Sequence, residues 1–445
     1  MAVTPLDFHF YAGLRSKPSC LFAVRDKMAC VSNFQVSDIQ TEMRINVRGK
    51  TRCLSHCKKF EGQMASDLLS GHDLSGATGY HYDRFPPRQL NYGRLIQPLS
   101  SAMAALARYD QMLKGMHNSE LLLAPLRSQE AVISSRMEGT ISTLDEVLQY
   151  EAESEGDEGS PTGRGYRSEA VEVLLYSRAM RFAQESMKGG QPLSSWLVRS
   201  AHKMLLSFGR GATMAPGEYK TEQNYLGDRS KRQVMFIPIS PERLTDGMEA
   251  LFKFIDNDNC EILIRSAIAH LEFEALHPFK DGNGRIGRML IPLVLWKHGA
   301  LSEPYFYMSA YFERERDAYI DKMRAVSAND EWDEWIIFFL GALEDQANQN
   351  LRKAEEIRSL YDDMKDKFIT TLASKWSTPA LDFLFTRPVF KNNVFHAKAG
   401  IPAPTIHRFV KTLQDEGLLT MISPPAGRRA AMYAFEPLLK VVRNS

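Results

Sequence analysis

Cysteine is scarce in this chain. There are five in 445 residues, and four of them (Cys20, Cys30, Cys53 and Cys57) precede residue 64. That is too few for a disulfide framework, and an odd number leaves one thiol unpaired, so a reducing, cytoplasmic location is expected. Long apolar runs are also missing. A membrane-spanning helix needs about 20 consecutive apolar residues, and none occurs, so no membrane partner is expected. The first residues, Met1 to Phe8, lack a basic segment followed by an apolar stretch, which predicts no secretory signal. Net charge is nearly absent: 55 Lys and Arg stand against 54 Asp and Glu, a formal +1, with 44% hydrophobic and 24% charged residues. This is a globular composition, and the length has room for two to four domains whose cores need no disulfide or metal.

The balanced total hides a division. Residues 1–63 carry ten basic and five acidic side chains, residues 361–445 carry 12 and 7, and the intervening 64–360 hold 33 and 42. An acidic body therefore lies between two basic ends. Residues 1–63 show neither helical period nor alternation, and Cys53-x-x-x-Cys57 around His56 is only half a zinc site. They are expected to be an unstructured extension, with Met64 as an alternative start. From Tyr92 the pattern is helical, with Leu95, Leu99, Met103 and Leu106 at three- and four-residue steps. Further helices are predicted at about 126–138, 143–152, 167–187, 194–207, 241–256, 260–276, 284–298, 309–325 and 331–360. Thr143 with Glu146 forms a capping box, Ser240 precedes Pro241, and Asp330 is placed to cap the last of these helices. Residues 151–165 form an acidic, glycine-containing loop. Only 232–239 look extended, and Pro238 predicts an edge strand. The expected body is mainly α with a small β-flap.

The chemistry is concentrated in residues 277–288, His-Pro-Phe-Lys-Asp-Gly-Asn-Gly-Arg-Ile-Gly-Arg, a polar turn between two apolar-faced helices. Gly282 and Gly284 permit left-handed backbone and close approach, and Asn283 is placed to cap the second helix. The free N–H groups of that helix start make an anion site, which Arg285 and Arg288 reinforce with permanently charged, bidentate donors. Asp281 suits the Mg²⁺ that accompanies a nucleotide, and His277 suits a base near neutral pH. Together they point to transfer chemistry on a polyphosphate.

These residues resemble the signature of the Fic family, H-x-F-x-[D/E]-G-N-G-R-x-x-R, at every specified position: His277, Phe279, Asp281, Gly282, Asn283, Gly284, Arg285 and Arg288. The resemblance runs from about residue 80 to 360. It includes Pro86-Pro87, the stretch from Glu130 to Thr140, Pro216-Gly217-Glu218-Tyr219 and Tyr307-Met308-Ser309-Ala310-Tyr311. It implies transfer of AMP from ATP to a Ser, Thr or Tyr hydroxyl of a protein, the chain itself included. His277 would deprotonate the hydroxyl, Asp281 would hold Mg²⁺, Gly282, Asn283 and Gly284 would orient the phosphates, and Arg285 and Arg288 would bind the β- and γ-phosphates. Phe279 is expected to pack into the core.

Ser134-x-x-x-Glu138-Gly139 is similar to the family's inhibitory-helix motif, [S/T]-x-x-x-E-[G/N]. The resemblance implies that Glu138 pairs with Arg288 and keeps the γ-phosphate from seating. Two positions depart from the family pattern. Lys220 stands where many relatives have Arg, and Glu315-Arg316 stands where some have Asn near the adenine, so no adenine contacts are assigned. By the same analogy the flap at 229–238 would hold a target segment by strand addition.

Residues 361–445 suggest three helices and a hairpin around Ser423-Pro424-Pro425-Ala426-Gly427-Arg428-Arg429, with Gly417 ending the third helix. They resemble a winged helix-turn-helix. His407, Arg408, Lys411, Arg428 and Arg429 would face DNA, and a homodimer or other protein contact is the alternative use. The expected fold is therefore a mainly α Fic fold with a β-hairpin flap and a C-terminal winged helix-turn-helix. The expected segments are the extension 1–63, an N-terminal region with the inhibitory helix at 64–165, the Fic core at 166–360 and the tail domain at 361–445. Two rival readings of function are a DNA-binding regulator with a dormant nucleotide-sensing body, and an enzyme that removes AMP.

Overall fold

The computed structural model describes residues 73–116, 122–154, 168–228, 233–257, 259–427 and 430–443. The expectations for 1–63, for most of the acidic loop, for the flap tip at 229–232 and for Arg428 and Arg429 lie outside the described residues.

Among the described residues five α-helices precede the hairpin of the flap: α1 (Tyr92–Gly115), α2 (Ala124–Met137), α3 (Leu144–Ser154), α4 (Ser168–Lys188) and α5 (Ser195–Leu205). The capping box at the start of α3 is formed, with Glu146 N–H donating to Thr143 Oγ1 at 3.2 Å and Thr143 N–H to Glu146 Oε2 at 3.0 Å. After the flap come α6 (Pro241–Ile255), α7 (Ile262–Leu276), α8 (Asn283–Lys297), α9 (Ser309–Arg314), α10 (Arg316–Asn329) and the 41-residue α11 (Trp332–Leu372). α11 runs along α1 and buries Trp335, Ile336, Phe339, Leu340 and Leu343, while Trp335 Nε1–H donates to Ala267 O of α7 at 2.8 Å. α7 and α8 are buried along nearly their whole lengths, as expected of helices at the centre of a core. The turn between them is thus flanked on both sides by buried helices.

The flap is a three-stranded sheet of order β1-β3-β2, formed by β1 (Thr78–Gly79), β2 (Leu226–Asp228) and β3 (Gln233–Ile237). β3 is central, with β1 parallel on one side and β2 antiparallel on the other, which corrects the edge expectation. Pro238 follows the last residue of the strand, so its missing N–H removes no ladder bond. Asp330 is not an N-cap either. It takes a left-handed conformation (φ 64°) at the end of α10, and its carboxylate accepts from Trp332 Nε1–H. The helix expected at 309–325 is two helices, broken where the backbone of Glu315 leaves the helical range.

The tail contains α12 (Ser377–Thr386), β4 (Val389–Lys391), α13 (Asn392–Ala399), α14 (Ala403–Asp415), β5 (Leu419–Ser423), β6 (Met432–Phe435) and α15 (Glu436–Arg443), with sheet order β4-β6-β5. α11 continues through position 361 to Leu372 without a break, because Ile357 and Phe368 on either side of it are both fully buried. The tail packs on α3. Leu148 and Ala152 form an apolar cluster with Val389, Met432, Ala434 and Leu439, and Arg443 grips Asp145 at 2.8 and 3.0 Å. His407, Arg408 and Lys411 lie on the exposed side of α14, opposite its buried Ile406, Phe409, Val410 and Leu413. Among the described residues no helix is long and apolar enough to cross a membrane.

Candidate active site

α7 ends at His277, which adopts a left-handed conformation (φ 46°) that non-glycine residues rarely take. The ring Nδ1–H faces Glu274 O at 3.3 Å, which leaves Nε2 as the proton-accepting nitrogen. Burial, and then the nearby Lys220, push the imidazole pKa down to about 4.

The turn that follows is tied from both sides. Asn283 does not cap α8; that position is taken by Gly282 in a left-handed conformation (φ 79°), and Asn283 is already helical. Its side chain instead accepts the Phe279 N–H and donates to Phe279 O, both at 2.8 Å, closing the turn with two bonds. Asn224 donates to His277 O at 3.2 Å and Phe279 O at 3.1 Å. Lys220 donates from Nζ to Leu276 O at 3.0 Å and Asn224 Oδ1 at 2.8 Å, and from its backbone N–H to Pro278 O at 2.8 Å. Burial pushes the Lys220 pKa down to about 7. Lysine at this position therefore serves as a strut for the end of α7.

Phe279 is fully buried, as expected, and stacks on His202 with ring centroids 3.7 Å apart and planes within 8°. His202 accepts the Gly217 N–H on Nδ1 at 2.8 Å, so its Nε2–H donates to Asp281 O at 2.9 Å. Burial pushes it down to about 4, consistent with a neutral ring fixed in one tautomer. Asn283→Ala would leave the N–H of buried Phe279 without its partner and its C=O with Asn224 alone. A loss of about 1–3 kcal/mol in stability is expected, measured by denaturant unfolding with and without the substitution.

Asp281 Oδ1 accepts the Gly282 N–H at 2.8 Å and its Oδ2 lies 3.4 Å from Arg285 Nη2, with about a third (32%) of the side chain exposed. The Arg285 side chain is 1% exposed and its buried Nε has no hydrogen-bond partner. Arg288, also buried, donates from Nε to Ser134 Oγ at 2.9 Å and from Nη2 to Ser134 O and Glu138 Oε1, both at 2.8 Å. The Glu138 carboxylate lies directly over the start of α8: a Cβ added at Gly284 would meet Oε1 at 2.2 Å. Burial works to raise the Glu138 pKa, but Arg288, Arg285 and His277 together hold it below the usual range.

Ser134 and Glu138 are both on the α2 segment, and Gly139 (φ 83°) ends it with a left-handed turn. Arg210 donates to Glu138 O at 3.3 Å and Thr140 Oγ1 at 2.8 Å, and Arg316 donates to Met137 O at 3.3 Å. Farther up α2, buried Glu130 accepts from the hydroxyl and N–H of Ser309. His202, Asn224 and Arg210 belong to no motif, and nothing in their spacing marked them; Arg316 stood out only as a departure from the family pattern.

Residues 96–185 match the family model described as Fic/DOC family N-terminal, and residues 192–295 match Fic/DOC family. The protein adenylyltransferase fic-1 of Caenorhabditis elegans is 31% identical over 134 residues, which is 29% of this chain and 24% of that protein. The probable protein adenylyltransferase aq_aa38 of Aquifex aeolicus is 27% identical over 207 residues, 46% of this chain and 56% of that protein. The chain thus spans between a quarter and somewhat over half of the length of these curated relatives. A crystal structure of a Fic family protein from Desulfovibrio desulfuricans aligns with a TM-score of 0.48 at 20% identity, covering 79% of this chain and 98% of that one. The chain thus contains regions similar to the Fic/DOC N-terminal region and the Fic domain in consecutive order, with the whole signature in the turn between α7 and α8.

Proposed function

We propose that this chain is a protein adenylyltransferase that moves AMP from ATP to a Ser, Thr or Tyr hydroxyl of a protein, itself included, and that Glu138 holds it inactive. The observation carrying this reading is the anion cradle beside His277. There the N-terminus of α8 meets two buried arginines, one with an unpartnered Nε and the other occupied by a glutamate of the same chain. Buried unpaired guanidinium donors call for acceptor oxygens, which a polyphosphate supplies.

In this mechanism His277 Nε2 takes the proton of the incoming hydroxyl, whose oxygen forms a bond to the α-phosphorus as the bond to diphosphate breaks. The N–H groups at Gly282, Asn283 and Gly284, with Arg285, hold the phosphate chain, and Arg288 receives the γ-phosphate once Glu138 leaves. Asp281 is an acceptor-only carboxylate with exposed surface. Among the described residues no group of three or more His, Cys, Asp or Glu could hold a metal, so a cation here would share one carboxylate with phosphates and waters. Mg²⁺ bound there would neutralise charge on the leaving diphosphate.

A cavity of about 250 Å³ beside the cradle, walled by Leu226, Met235, Leu271, Ile320 and Met323, suits a flat nucleobase. β2, an edge of the flap sheet, suits addition of an extended target segment. The segments at 64–165, 166–360 and 361–445 would act as brake-bearing region, catalytic core and appended tail.

Incubation of the wild type and of Glu138→Gly with Mg²⁺ and ATP labelled on either the α- or the γ-phosphate tests the proposal. Protein-bound α-label, stronger in the variant, is expected. Incorporation of γ-label, or no label in the variant, overturns it. A pure AMP-removing enzyme or a dormant sensor would produce the second outcome.

A further inference from the structure

We propose that the cavity between the first turn of α2 and the tail is a binding site for a small phosphate ester, with Arg127 as its principal anion contact. The site shares no residue with the signature turn, and the inference does not depend on the reaction proposed above.

The cavity has a volume of about 380 Å³ and is walled by the first turn of α2, by α3, by α4 and by the tail where α12 passes into β4. Arg127 lines it and is 4% exposed. Its guanidinium is always charged. Among the described residues it has no carboxylate within ion-pair distance; it lies over the Tyr305 ring at 5.8 Å, and the nearby Tyr307 hydroxyl makes no hydrogen bond. The Nε atom is sealed from solvent. Nη1 and Nη2 make no hydrogen bond with the described residues either and keep accessible surface, so a ligand reaches the charge through them. The other buried arginines are provided for: Arg285 faces Asp281, Arg288 pairs with Glu138, and Arg265 donates to Ile255 O and Cys260 O. A buried charge without a counter-charge is costly, and Arg127 carries that cost.

Its place in the helix adds to the deficit. α2 starts with no side-chain cap and no acidic residue in its first turn. The helix dipole puts partial positive charge at that end, which disfavours a cation and favours an anion. The remaining walls narrow the class of anion. Arg181 on α4 and Arg387 in the tail add positive charge, and Glu151 and Glu185 add acceptor oxygens. Phosphate oxygens match a guanidinium fork, and hydroxyl groups on the same molecule would donate to the carboxylates. The volume leaves room for such a body beyond the phosphate. A molecule seated here touches the brake-bearing helix and the tail together.

The test is calorimetric titration of the full-length wild type with glycerol 3-phosphate, with glycerol as the control. Saturable binding of the ester and none of glycerol is expected. Arg127→Met, an apolar side chain of similar reach, should weaken binding about tenfold or more, the loss of a charge-assisted contact. Without ligand it should melt no lower than the wild type, because it removes an unpaired buried charge. Arg181→Met changes an exposed residue, so folding is not at stake; it should weaken binding about two- to fivefold and leave the melting temperature unchanged. No saturable binding to the wild type, glycerol binding as well as its ester, or binding unchanged in either variant overturns the proposal. An Arg127→Met chain that melts well below the wild type also overturns it, since the guanidinium would then be satisfied within the protein.

Discussion

Glu138→Gly is expected to raise incorporation of α-label about ten- to a hundredfold at saturating ATP. The size follows from the contact removed. A charge-assisted hydrogen bond contributes about 1.5–3 kcal/mol, and the Glu138–Arg288 pair at 2.8 Å is one, made by an arginine only 3% exposed. The carboxylate also repels any phosphate approaching over Gly284, so its removal acts twice: it frees a donor and clears an anion from the place an anion must occupy. Because the Glu138 carboxyl is held below the usual range, it is charged throughout the neutral range, and this pairing is lost only as pH falls through that lowered value. Mild acidification is therefore not expected to separate Glu138 from Arg288. In the variant Arg288 keeps its two bonds to Ser134 but loses its counter-ion, so the ligand-free variant should melt below the wild type and ATP should raise its melting temperature more. Glu138→Gln, which keeps the shape without the charge, should fall between the two in activity. An unchanged rate in a variant that binds ATP more tightly would show that Glu138 limits binding and not transfer.

Most of the site was legible because it is contiguous. Twelve residues fix a helix end, a turn and a helix start, and the elements around them are local enough to be read from apolar spacing. The contact of Glu138 with Arg288 was expected from the resemblance of Ser134-x-x-x-Glu138-Gly139 to a family motif, and the structure places Ser134 and Glu138 one helical turn apart, both against Arg288. What escaped was whatever depends on distant segments. Pro238 suggested an edge because the strand that covers that side, β1, pairs from 158 residues away (Thr78 with Phe236) and is only two residues long. Asn283 has the residue type of a cap, but two bonds to Phe279 compete for its amide, and Gly282 takes the cap position. His202, Lys220 and Asn224 are ordinary residues in sequence and become supports only when the loop before the flap folds under the turn. The tail's packing against α3 includes an apolar cluster, Lys391 donating to Glu153 O, and Arg443 with Asp145, pairings between residues more than 200 apart that no local pattern encodes.

His277→Ala is expected to lower the transfer rate of the Glu138→Gly chain by about 10²–10⁴, the usual contribution of a positioned general base, with ATP affinity essentially unchanged. The pH profile separates this role from a structural one. An imidazole with an ordinary pKa of about 6.5 would lose half its activity near that pH, but His277, pushed down to about 4 by burial and Lys220, stays neutral and able to accept a proton throughout the mildly acidic range. The rate attributable to this base should therefore be flat from about pH 5.5 upward and fall as pH drops through about 4. Stability follows the same sign. Between about 4 and 6.5 the unfolded chain binds a proton that folded His277 does not, and His202 behaves likewise, so stability declines on acidification across that window and rates must be taken well below the melting temperature. Lys220→Met removes the positive charge that helps depress the imidazole and should move the acid limb to higher pH, a displacement that loss of a mere strut would not produce. A limb near 6.5 in the parent, or one that does not move in Lys220→Met, would separate the base from the buried histidine at the end of α7.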